Sequence, residues 1–122
     1  RFLKYNEWKY FDNPQEPSFN VLPLGVGGTL YFPGCFDEEV FNEKVFKELC
    51  SYADDIWFKI MTIRNNVKSC VTTPYKDYTY NLIPLESGFI DALGALNVTL
   101  QKNDEQFQQL IEYFNIDIEI FK

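Results

Sequence analysis

Two aspartates, Asp54 and Asp55, stand side by side at the start of a segment whose apolar residues recur with helical spacing. Ala53, Ile56, Trp57, Ile60 and Met61 fall at i, i+3, i+4, i+7 and i+8 and define one buried face of a helix over residues 54–65. Ser51, three residues ahead of Asp54, has the form of a capping box and sets both aspartates in the first turn. A carboxylate fixed there, on the rim of a domain, could take a proton from a hydroxyl nucleophile. The competing reading is capping alone. First-turn aspartates satisfy free backbone N–H groups and the macrodipole, which depresses their pKa and works against a base poised near neutrality. Two adjacent acids exceed what capping requires, which leaves one for function.

Composition bears on the same question. The chain has 122 residues, 11 basic and 18 acidic side chains, a net charge of −7 and no histidine. Histidine-based triads and histidine-ligated metals are therefore excluded, and acid–base work falls mainly to carboxylates, with Tyr, Lys and Cys outside them. The acidic balance argues against nucleic acid as a partner, because phosphate binding needs Lys and Arg. The aromatic share is high, 18%, and most of it is expected in the core, although aromatic rings also form stacking surfaces for sugars. Cys35, Cys50 and Cys70 form no CxxC pair and no disulfide framework, so free, mostly buried thiols in a reducing compartment are expected. No apolar run of roughly 18 residues could cross a membrane as a helix.

Other clusters are individually weaker. Gly25, Gly27 and Gly28 beside a strand candidate would let the backbone approach a ligand, or would form a bulge or turn. They lack the spacing of a dinucleotide fold or a P-loop. Asn103 and Asp104, with Gln106, read as the cap of a last helix over 103–114, with Phe107, Leu110, Ile111 and Phe114 on one face. Tyr75, Tyr78 and Tyr80 lie in a loop that stacks on a sugar or is simply covered. Asp117 and Glu119 have the spacing of a metal-binding pair but suit the solvated face of a strand, so no metal ligand is assigned.

The elements that must position these groups read as one α/β unit. Strands are expected over 21–32, 67–73 and 116–120, and helices over 38–50, 54–65 and 103–114, giving a mixed sheet with flanking helices. Residues 12–18 are a Pro-containing loop, and 89–100 are ambiguous between a short helix and a turn. The Asn97-Val98-Thr99 sequon carries little weight. The chain opens directly on structured-looking sequence without Met, which suggests a fragment.

Taken in order, Tyr5-Asn-Glu-Trp8-Lys9, Leu24-Gly-Val-Gly-Gly-Thr-Leu-Tyr-Phe-Pro33-Gly34, Ala53-Asp-Asp-Ile-Trp-Phe-Lys59, Asn97 and Asn103-Asp104-Glu105-Gln106 form a series. It resembles the C-terminal half of bacterial GT-A glycosyltransferases of polysaccharide and lipopolysaccharide assembly, over roughly residues 1–114. The resemblance implies a partial GT-A-like nucleotide-diphospho-sugar transferase fold. Residues 1–122 would be a single unit forming its acceptor side. It also implies a cytoplasmic place, with the inner face of the membrane as one option. The nucleotide-binding strands and the Asp-x-Asp motif would lie upstream, so no cofactor is assigned to this chain, and Mn²⁺ or Mg²⁺ is expected for the full-length enzyme. Asp55 is then the first choice for the base and Asp54 the second. Gly25, Gly27 and Gly28 would pass close to the transferred sugar. Trp57 would wall the acceptor pocket, against a helical period that buries it, and Asn103 and Asp104 would line the site or only cap the helix.

The implied partners are a nucleotide sugar and a glycan acceptor, and one in-line base suits an inverting displacement. The isolated chain would be inactive, and strands left without their neighbours would drive self-association through exposed edges. The alternative is a non-catalytic module that binds glycans or a protein through its aromatic loops.

Overall fold

A computed structural model describes residues 3–9, 16–25, 28–72 and 101–121. The tyrosine loop, the 89–100 segment, Asn97 and Gly27 lie outside the described residues. Three α-helices dominate: α1 (Glu43–Leu49), α2 (Asp54–Arg64) and α3 (Lys102–Tyr113). Short 3-10 turns occupy Tyr5–Glu7, Glu38–Phe41 and Ile118–Phe121.

The helical periodicity of the sequence is what builds the core. Ile56, Trp57, Ile60 and Met61 of α2 are almost fully buried, and they pack with Phe107, Leu110 and Ile111 of α3 and Val45 of α1. Each such side chain contributes about 1.5–3 kcal/mol relative to leaving it in water. Half-buried aromatics, among them Trp8, Phe36, Phe46, Phe58 and Phe114, surround this cluster. Cys35 and Cys50 are buried free thiols, whereas Cys70 is exposed. No helix among the described residues is long and apolar enough to cross a membrane.

Polar side chains close the helices. Asn42 Oδ1 accepts from Val45 N at 3.2 Å and starts α1. Residues 65 and 66 end α2, with Asn66 in the left-handed region at φ 56°. Asn65 then donates to Gly34 O at 2.7 Å, and Met61 O accepts from Asp37 N at 3.1 Å, so the end of α2 holds the 34–37 turn. Gln106 Oε1 accepts from Tyr52 N at 2.8 Å and fastens the first turns of α3 to the residues just ahead of α2.

The α/β expectation is overturned. Of the described residues 51% are helical and 2% strand, and they contain no sheet. Residues 28–32 alternate as a strand would, with Leu30 96% exposed and Tyr31 turned onto Phe36 and Phe58, but among the described residues no ladder forms beside 21–25 or 28–32. Over 67–72 the ladder stops at a single antiparallel bridge, Ser18 to Ser69. The Ser18 hydroxyl accepts from Asn20 N at 3.1 Å, folding the partner segment into a turn instead of prolonging it. The 116–120 strand is replaced by a 3-10 turn, because Asp117 Oδ1 accepts from Glu119 N at 2.9 Å.

The 38–50 helix is divided where Asp37 caps one turn and Asn42 caps the next. Two caps are also corrected: Ala53, not a serine box, precedes α2, and Gln101, not Asn103, precedes α3. None of the described residues supplies the strand edges invoked for self-association.

Candidate functional site around Asp55

The first turn of α2 holds both aspartates, and they differ in what they touch. Asp54 is exposed, and its Oδ1 accepts from the neighbouring Asp55 N at 3.1 Å. Asp55 is half-buried and points away from its own helix: its Oδ1 accepts a 2.7 Å hydrogen bond from Gly25 N. Ala53 supplies no side-chain cap, and Asp55 supplies none in its place.

Burial pushes the Asp55 carboxyl above the ordinary aspartate range, the Gly25 N–H pulls it back, and the Asp54 charge adds a further upward push. Burial is the largest of these influences.

The glycines are explained separately. A Cβ on Gly25 would lie 3.0 Å from Asp55 Oδ1, so the carboxylate occupies the space a side chain would need. Gly28 needs no such space but has φ +83°, in the left-handed region, and its N–H closes a turn onto Gly25 O at 2.9 Å.

Tyr31, which no motif in the sequence marks as a site residue, is electrostatically linked to this group. Its ring packs on Phe36 at 4.7 Å and Phe58 at 5.6 Å between centroids. Its hydroxyl is pushed up to about 12, first by burial and then by the Asp55 carboxylate, with Cys35 and Asp54 adding to it and a hydrogen bond with Thr29 pulling it back. It therefore stays protonated at neutral pH. The period-2 pattern of residues 29–32, which turns Tyr31 away from Leu30 and Phe32, was the available signal.

One turn further along α2, Lys59 is 3% exposed and donates to Ser69 Oγ at 3.2 Å. Among the described residues it forms no ion pair, and burial lowers its pKa to about 8.

The other expected site residues lie elsewhere. Trp57 is buried, donates from its indole to Val40 O at 3.3 Å and backs a shallow apolar groove of about 250 Å³ with Phe41, Phe46 and Phe58. Asn103 is buried inside α3. Asp104 turns to the N-terminal segment, accepting from Tyr5 N at 2.8 Å, and lines a second groove with Trp8. Asp55 lines neither groove. Among the described residues no three His, Cys, Asp or Glu side chains converge as metal ligands, so the divalent ion implied by the resemblance finds no ligand set there.

Against known protein families, curated proteins and solved structures, the chain has no match.

Proposed function

We propose that these residues form the acceptor side of a glycosyltransferase, with Asp55 as the base that receives the acceptor hydroxyl proton. As the hydroxyl oxygen bonds to the anomeric carbon of a nucleotide sugar, the proton passes to Asp55. The bond to the leaving nucleoside diphosphate breaks with its electron pair on the phosphate oxygen. Donor binding belongs to residues outside those described, and no step is written through a metal ion.

One observation carries the reading. The Asp55 carboxylate is not used as a cap but is held half-buried on the Gly25 amide with its pKa raised. A base works best when its pKa approaches the working pH, and partial burial with a like charge beside it moves aspartate that way. The Asp55 charge helps to keep Tyr31 protonated, so its hydroxyl is available as a hydrogen-bond donor.

The test uses the full-length polypeptide with a panel of UDP-, GDP- and dTDP-sugars and Mn²⁺ or Mg²⁺, reading nucleoside diphosphate release with and without oligosaccharide acceptors. Release that Asp55→Asn abolishes while donor binding persists is the expected result. Release unaffected by that substitution, or none from any donor, overturns the reading.

A further inference from the structure

Trp8 and Asp104 have no part around Asp55, yet they are placed with care. The Trp8 indole donates to Leu3 O at 2.9 Å, lies 5.2 Å from Tyr5 and meets Phe107 edge-on at 5.6 Å and 82°. Asp104 fastens the same segment to α3 through Tyr5 N. Between the segment and the helix lies a groove of about 410 Å³, within the roughly 300–1,000 Å³ of small-molecule sites. Leu3, Ile111 and Ile118 supply apolar wall, while Lys4, Gln101, Asp104 and Gln108 bring polar groups to it.

The mixture selects a ligand class. A pyranose ring has apolar C–H faces and a rim of hydroxyls, which matches a fixed indole beside amide and carboxylate acceptors. The single ammonium and single carboxylate of the groove offset each other, so neither a phosphate nor a cation finds a complementary charge, and the net charge of −7 further disfavours anions. We infer that this groove binds a neutral saccharide, packed against Trp8 with its hydroxyls bonded by Asp104 and Gln108.

As a second contact for a glycan acceptor the groove rests on the transfer reading, but saccharide binding is measured without transfer, so each can fail alone. Lactose, cellobiose and di-N-acetylchitobiose are titrated into the protein by saturation-transfer NMR and calorimetry. At least one binds in the millimolar range, and Trp8→Ala abolishes the binding. Gln108→Ala changes an exposed residue outside the core and weakens binding about three- to tenfold, the loss of one or two hydrogen bonds.

Failure of all three sugars, binding indifferent to Gln108→Ala and Trp8→Ala, or competition by inorganic phosphate overturns the inference. Groove-dependent binding in a full-length protein that transfers from no donor refutes the transfer reading and leaves the groove standing.

Discussion

The amide of Gly25 and the carboxylate of Asp55 are 30 residues apart in sequence and 2.7 Å apart in space. That contact joins the glycine-containing segment to the first turn of α2 without a β-ladder. It also explains the glycine by space rather than by backbone angle: Gly25 is outside the left-handed region, and a Cβ there would press on Asp55 Oδ1 at 3.0 Å. A short charge-assisted bond holds the carboxylate in one orientation, while burial and Asp54 keep its proton affinity up.

Asp55→Asn keeps an acceptor oxygen for the Gly25 N–H but removes the base. Turnover should fall about 10²–10⁴-fold, as expected for loss of general-base catalysis. Stability should hold or rise. A carboxyl whose folded pKa is raised loses stability as pH climbs through that pKa, so at neutral pH the ionised Asp55 destabilises the fold. Steady-state rates and urea denaturation of the two proteins check both halves.

Gly25→Ala and Asp54→Asn should move the pH profile in opposite directions. Alanine pushes the carboxylate a few tenths of an ångström off the amide and weakens the influence that lowers its pKa, so the acid limb of kcat/KM shifts to higher pH. Asparagine at position 54 removes a negative neighbour, so the acid limb shifts to lower pH while turnover persists. Loss of turnover in Asp54→Asn would instead make Asp54 the base.

Asp37 has two structural tasks. Its Oδ1 accepts from Glu39 N at 2.9 Å and pairs with Arg64 at 3.3 Å, while the Arg64 guanidinium lies 4.3 Å from the Phe114 ring centre. Asp37→Ala should cost about 1–3 kcal/mol in urea denaturation, from the lost cap and a partly buried guanidinium left unpaired. Asp37→Asn keeps an acceptor for the cap and should cost less.

The helices were legible because their buried faces repeat at helical spacing: α2 begins at Asp54 as expected and α3 begins one residue early. The strands were misread because alternation reports which side of a segment is covered, not what covers it. Tyr31 is turned inward by aromatic side chains of the 36–58 region, and Ile116 and Ile120 are half-buried around a 3-10 turn. Short polar side chains decided those cases: Ser18 and Asp117 bond their own backbone and stop the extended chain. In the site, the paired acids and Gly25 were visible as types and spacing. Their contact was not, because it depends on a close approach across 30 residues. Lys59 gave no signal beyond its place at the end of the Asp-Asp block, since a lysine within a helix ordinarily reaches water.

Lys59 supplies the last expectation. The residue is 3% exposed, its ammonium has Ser69 Oγ as a partner, and its pKa is lowered from 10.5 to about 8 by burial. Below about pH 8 it is charged in both folded and unfolded chains, and the cost of burying that charge is carried in full. Between about 8 and 10.5 the folded chain releases the proton and the unfolded chain keeps it, so stability rises with pH across that window. The shift corresponds to a penalty on the order of 3 kcal/mol at neutral pH. Lys59→Met, similar in length and apolar, should therefore be more stable than the wild type at pH 7 by about 1–3 kcal/mol. That advantage should shrink as pH rises from 8 to 10.5. Urea denaturation of both proteins at pH 7, 8.5 and 10 measures it, and an advantage that grows with pH would show that the buried lysine is stabilised in its charged form.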